Sequence, residues 1–151
     1  MTMTSILMVC LGNICRSPLA HGIMEHKLNP NNYYVDSAGT ADYHVSAAPD
    51  RRSIKVAKEN GIDISSQRGR QFQVSDFDKF DHIFVMDNSN LNNVAKLARN
   101  ASDMQKVKLI LDTQKETTAE IVPDPYYGDF SDFEKVFKIL DKACNYWIER
   151  L

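Results

Sequence analysis

Short apolar runs alternate with amphipathic stretches along the whole chain, and this alternation constrains the fold more than any other feature. SILMV (Ser5–Val9) is apolar without a break, as in a strand buried on both faces. YYVDSAGT (Tyr33–Thr40) reads as a second strand closing in a glycine turn, HIFVMD (His82–Asp87) as a third and VKLIL (Val107–Leu111) as a fourth. Helical patterns fill the intervals. The first is expected to begin at Pro18 with Ser17 as its cap, since proline suits the first helical position, and Leu19, Ala20, Ile23, Met24 and Leu28 give it an apolar stripe. Pro49–Asn60 reads as a helix stopped by Gly61, and Leu91, Val94, Ala95 and Ala98 mark another. Ser131 with Glu134 has the form of a capping box opening a last helix, with Phe133, Val136, Phe137, Leu140, Cys144, Trp147 and Ile148 on one side.

Strands alternating with helices predict right-handed βαβ units and a parallel sheet. The expected fold class is therefore α/β: a three-layer α/β/α arrangement around a four-stranded parallel sheet, Rossmann-like or flavodoxin-like. The 151 residues suit one domain, 1–151, with no linker or repeat inside it. In such sheets ligands sit beyond the carboxyl ends of the strands. That rule gathers Cys10, the segment Ser37–Tyr43, Asp87 and the loop Asp112–Phe130 at one edge.

Composition excludes several classes. The net charge is −2 and no basic stripe is present, which argues against a nucleic-acid partner. No apolar run reaches the roughly 18 to 20 residues of a membrane span, and the first residues lack the basic start and small-residue cleavage site of a secretory signal. The three cysteines, Cys10, Cys15 and Cys144, are odd in number and lack metal-like spacing. Free thiols in a reducing cytoplasm, with no metal and no cofactor, are the expectation.

VCLGNICRSP (Val9–Pro18) holds the chemistry. The loop Leu11–Arg16 joins a strand to a helix N-terminus, where unpaired amides and the positive end of the helix dipole converge. Gly12 and Asn13 tolerate left-handed backbone, so the chain can curl and aim its amides inward. The result is a cradle for a tetrahedral oxyanion, built from Leu11, Gly12, Asn13, Ile14, Cys15 and Ser17. Arg16 adds a planar fork for two of the oxyanion's oxygens. Cys10 lies at the base, where the same field favours a thiolate, a nucleophile poised on phosphorus. Ser17 can donate its hydroxyl to that thiolate. A lone cysteine after a strand is usually core, and the Cys-x5-Arg spacing alone is weak. The preceding strand, the Gly-Asn pair and the helix-opening Ser-Pro make the pattern specific.

VCLGNICRSP resembles the signature of the low-molecular-weight protein tyrosine phosphatases. The resemblance extends through SAGT (Ser37–Thr40), GIDIS (Gly61–Ser65), VMDNSNL (Val85–Leu91) and DPYYG (Asp124–Gly128), in order, over nearly the whole chain. It implies a metal-independent hydrolase acting on phosphotyrosine proteins and small aryl phosphates through a phosphocysteine. Cys10 would be the nucleophile, Arg16 and the loop amides the phosphate ligands, and Asp124 the general acid and base. Pro123 and Pro125 stiffen the chain around Asp124; Asp129 and Asp132 are nearby rivals that do not match the motif. Asn13 would fix the loop through its side chain. Tyr43, Tyr126 and Tyr127 would flank the substrate ring, with a satellite aromatic cluster as the alternative for the last two. Asp87 would be the acidic residue near the pocket, with a helix cap as the alternative.

Cys15 would be the redox partner of Cys10 in a protective disulfide. The implied ligand of the empty site is inorganic phosphate or another oxyanion, and the implied state is a monomer with a weak dimer as the alternative. Cys144 falls on the apolar stripe of the last helix and reads as core. His21, His26, His44 and His82 are expected to be non-catalytic, with His44 near the cleft wall. Two departures stand out: many relatives carry glutamate where His21 stands, and many carry a loop-buttressing histidine where this chain reads SSQRGRQ, leaving Ser66 or Gln67 as substitutes. Two rival readings are a thioredoxin-coupled arsenate reductase, disfavoured because no cysteine lies between Cys15 and Cys144, and a non-catalytic oxyanion-binding or redox module.

Overall fold

The computed structural model describes residues 3–113 and 121–151. Four strands, β1 (Thr4–Cys10), β2 (Tyr33–Gly39), β3 (His82–Val85) and β4 (Val107–Leu109), pair in the order β2-β1-β3-β4, all parallel. Six helices accompany them: α1 (Arg16–Lys27), α2 (Arg51–Glu59), α3 (Asp76–Lys79), α4 (Asn88–Ala95), α5 (Ala101–Gln105) and α6 (Phe130–Ile148). The α/β expectation and its parallel four-stranded sheet hold.

The unbroken apolar run of β1 has a simple cause. Successive side chains leave a strand on opposite faces. Ile6 and Met8 enter a core with Leu19 and Ile23 of α1, Val56 of α2, and Phe133 and Leu140 of α6. Leu7 and Val9 enter a second core with Phe72, Phe77 of α3, Ile83, Val85 and Val94 of α4. Helices thus cover both faces of the sheet, and a central strand has no polar side to show.

The boundaries differ from expectation in informative places. α1 starts at Arg16 with Cys15 at its N-cap, two residues ahead of the expected start at Pro18. Pro18 still falls in the first turn, where its missing N–H costs nothing. Ser17 is consequently not the cap, and its hydroxyl is free for other work. α6 is capped by Asp129, not Ser131: Asp129 accepts from the Ser131 amide, and the Asp132 side chain accepts from the Asp129 amide, completing the box two residues upstream of Ser131–Glu134. β3 stops at Val85 because Asp87 caps α4, accepting from the Asn90 amide at 2.8 Å. The short helices α3 and α5 carry too few residues to show a period.

At the carboxyl edge, the end of β2 lies flush against the loop that follows β1. A Cβ on Gly39 would stand 2.7 Å from the Leu11 carbonyl oxygen. Thr40 and Ala41 donate their amides to the carbonyls of Cys10 and Leu11 at 2.9 and 3.0 Å. Glycine is required there for close approach of two backbones.

Candidate active site

Between Cys10 and Arg16 the chain turns its carbonyls outward. Those of Cys10 and Leu11 accept from the β2 edge, that of Ile14 accepts from the Asp50 amide at 2.8 Å, and that of Cys15 accepts from Ser53 Oγ at 3.3 Å. Among the described residues, no amide from Leu11 through Ser17 donates to another protein group. With the carbonyls of Cys10, Leu11, Ile14 and Cys15 engaged by neighbouring elements, the loop keeps a run of unspent N–H groups for a ligand.

Asn13 holds this curl. It is the loop residue in left-handed backbone, at φ 57°, whereas Gly12 does not adopt a positive φ. Asn13 is buried; its Nδ2 donates to Ser17 Oγ at 2.8 Å and its Oδ1 accepts from the Arg70 amide at 3.1 Å. Ser17 Oγ also lies 3.1 Å from Cys10 Sγ. Because Asn13 already donates to that oxygen, the Ser17 proton is available to point at sulfur. The Ala38 carbonyl, at 3.5 Å, is the weaker competing acceptor.

Arg16 is 3% exposed. Its Nη1 donates to Asp87 Oδ2 at 2.7 Å and to the Val122 carbonyl at 2.9 Å. Nη2 stands 3.8 Å from Asp124 Oδ2. One corner of the guanidinium is thus anchored while its other edge stays available for a planar pair of oxygens. Asp87 takes the alternative reading as helix cap, with one oxygen on α4, and its other oxygen accepts from Arg16; it does not itself line the cavity of the site. Asp124 accepts the Tyr126 amide on Oδ1 at 3.1 Å.

These groups surround a cavity of about 280 Å³. Cys10, Arg16 and Asp124 line it, with Leu11, Gly12, Ile14 and Cys15 along its base and Tyr43, His44, Tyr126 and Tyr127 around its mouth. The Tyr126 and Tyr127 rings meet edge to face, 4.9 Å apart at 89°. Asn13, Ser17 and Asp87 act from behind the lining. Cys10 and Cys15 are both free thiols within the lining. Burial raises the Cys15 thiol well above its ordinary range, and Asp50, Cys10 and Asp124 push it the same way. Cys144 is core, as expected, and its burial lifts it to about 12.

Some contacts have no signature in the sequence. Gln67 Nε2 donates to the Pro18 carbonyl at 3.2 Å, so it braces α1, while Ser66 makes no hydrogen bond to the loop. His21 Nδ1 pairs with Ser37 Oγ at 3.0 Å. Arg70 grips Asp36 and Asp76 while its amide holds Asn13. Each depends on residues distant in sequence, so spacing cannot reveal it. Among the described residues no cluster of potential ligands suits a metal ion, and no helix is long and apolar enough to cross a membrane.

Comparison with known proteins agrees with this geometry. The profile of the family described as low molecular weight phosphotyrosine protein phosphatase matches residues 5–151. The chain is 41% identical over 143 residues to the low molecular weight phosphotyrosine protein phosphatase of Saccharomyces cerevisiae, covering 89% of this chain and 86% of that protein. A solved protein tyrosine phosphatase from Entamoeba histolytica, with Hepes in its active site, superposes with a TM-score of 0.89 at 38% identity, covering 97% of this chain and 96% of that one. Wzb from Vibrio vulnificus, in complex with benzylphosphonate, superposes at 0.88 with 28% identity, covering 99% and 100%. The chain belongs to the low molecular weight phosphotyrosine protein phosphatase family, and it is an enzyme of the cysteine-based, metal-independent protein-tyrosine-phosphatase type.

Proposed function

We propose that this protein hydrolyses phosphotyrosine in proteins, and small aryl phosphates, in two displacements at phosphorus. The observation that carries the reading is the meeting of Cys10, Arg16, Asp124 and a ring of unspent amides on one cavity. In the first step Cys10 Sγ attacks phosphorus in line. The S–P bond forms, the P–O bond to the tyrosyl oxygen breaks, and Asp124 gives its proton to that oxygen. In the second step Asp124, now a carboxylate, takes a proton from water. The water oxygen bonds to phosphorus, the S–P bond breaks, and the thiolate returns to its contact with Ser17.

The loop amides and Arg16 hold the three non-bridging oxygens throughout, so positioning and electrostatics carry much of the rate. Tyr43, Tyr126 and Tyr127 at the mouth suit the flat face of a phenyl ring. The same cradle holds inorganic phosphate as product. The benzylphosphonate in the Vibrio vulnificus relative, a phenyl ring joined through a methylene to a phosphonate, is consistent with this substrate class.

Cys15 supplies redox control in this reading. A peroxide removes two electrons from Cys10 and Cys15 while both thiol protons leave, and the S–S bond blocks the nucleophile until a dithiol reduces it. A reducing cytoplasm is the compartment that such thiols suit.

The test is hydrolysis of p-nitrophenyl phosphate from pH 5 to 8, in reductant and without added metal. The wild type turns over, Cys10→Ser is inactive, and Asp124→Ala is slowed by roughly 10²-fold or more, in line with loss of a general acid. An inactive wild type that still binds vanadate would leave the cradle and overturn the catalytic reading.

A further inference from the structure

The loop that carries Asp124 is poorly tied to the rest of the molecule. At its start, Val122 donates to the Met86 carbonyl at 2.8 Å and accepts from Arg16. At its end, Asp129 caps α6. Between them Pro123–Gly128 makes two internal bonds, Tyr126 amide to Asp124 and Gly128 amide to the Pro125 carbonyl, and Asp124 Oδ2 stands 3.8 Å from Arg16 Nη2. Among the described residues, the hydrogen bonds from this stretch to another element all come from one side chain. Arg52, in the first turn of α2, donates from Nη2 to the Tyr126 carbonyl at 2.9 Å and from Nη1 to the Gly128 carbonyl at 3.1 Å.

Arg52 is itself immobilised. Asp50 accepts from its Nε at 3.0 Å on one oxygen and from its Nη2 at 3.0 Å on the other. Four of the five N–H groups are thereby used: one on Nε, one on Nη1 and two on Nη2. The guanidinium carbon lies 4.3 Å from the centre of the Phe133 ring in α6, which holds its plane from one side. Asp50 in turn donates its amide to Ile14 of the phosphate loop. The path from Ile14 through Asp50 and Arg52 to the carbonyls two and four residues beyond Asp124 is continuous. Arg52 does not line the cavity.

We infer that Arg52 is the positioning residue for Asp124: it fixes the acid's loop against the phosphate loop, at the height where the leaving oxygen will stand. The inference rests on the assignment of Asp124 as general acid. A general acid works only within hydrogen-bond reach of its target, and a misplacement of about 1 Å can cost on the order of 10²-fold. A lysine in its place keeps the charge but has three donors and no planar fork, so it cannot reproduce the four bonds of Arg52.

Leaving-group dependence of kcat/KM separates positioning of the acid from general damage. Phenolate is a worse leaving group than p-nitrophenolate and needs the proton more. The ratio of kcat/KM for p-nitrophenyl phosphate to that for phenyl phosphate is measured in wild type, Asp124→Ala, Arg52→Met and Arg52→Lys, with vanadate inhibition as a gauge of the phosphate loop. Arg52→Met raises the ratio about tenfold, Arg52→Lys raises it less, and vanadate inhibition stays within about twofold of wild type. If Arg52→Met does not fold, Arg52→Lys and Asp50→Asn, which keeps the α2 cap, carry the test with a rise in the same direction. A wild-type ratio in folded Arg52 variants, or an equal loss on both substrates, overturns the role of Arg52 while leaving Asp124 in place. An unchanged ratio in Asp124→Ala overturns the assignment of the acid and the inference with it.

Discussion

Two thiols five residues apart sit in opposite circumstances. Cys10 has a hydroxyl 3.1 Å away and a ring of amides above it. Cys15 faces burial and the charges of Asp50 and Asp124, which hold it as a thiol. Only thiolates alkylate readily. Iodoacetate near pH 7 therefore labels Cys10, spares Cys15 and Cys144, and is blocked by inorganic phosphate; peptide mapping by mass spectrometry reads the result. Labelling of Cys15 ahead of Cys10 would contradict the assignment of the nucleophile. Cys10, Arg16 and Asp124 could be picked out from the sequence because their spacing within short motifs is itself the constraint. Arg52 could not: RR at positions 51 and 52 looks like any solvated helix start until α2 and the acid loop are brought together in space.

Among the elements, the strand-to-helix junction after β1 decides the most. Its left-handed residue is Asn13, which combines that backbone with two side-chain hydrogen bonds. Asn13→Ala loses both bonds and puts at φ 57° a residue that tolerates left-handed backbone less well than asparagine, costing about 2–3 kcal/mol of unfolding free energy. Asn13→Gly keeps the backbone and loses only the bonds, so it costs less. Denaturant melts of the two variants, with phosphate inhibition alongside, check this; equal stability of both would show that the left-handed turn is not under strain. The four strands and the longer helices were readable from apolar periodicity; the short helices α3 and α5 and the element ends were not. Ser17 and Ser131 both looked like caps. Ser17 instead lies inside α1 with its hydroxyl on the Cys10 sulfur, and Asp129 takes the cap at α6 by accepting the Ser131 amide.

At the scale of the whole molecule, ionisable groups set the acid limit of stability. Burial lowers His82 from its ordinary 6.5, so the folded chain resists its protonation. The unfolded chain takes that proton first as pH falls below about 6.5, and stability declines from there. A second decline begins near the ordinary carboxylate value of about 3.9. Asp78 and Asp103 lie below that range through hydrogen bonds from Arg99, and Asp50 does so because Arg52 outweighs its burial. All three release stability only when protonated. Thermal melts from pH 8 to pH 3 should show both slopes, and His82→Gln should remove the upper one. A melting temperature that rises between pH 6.5 and 5 would contradict the sign.

The central claim, a covalent phosphocysteine on Cys10, is tested most directly by rapid quenching. A ³²P-labelled phosphotyrosine peptide is mixed with enzyme, stopped in acid within milliseconds, and the protein-bound label is mapped. The two-step mechanism predicts transient label on the peptide containing Cys10 and its absence in Cys10→Ser. Turnover by the wild type with no protein-bound phosphate, or with label on another residue, would contradict it.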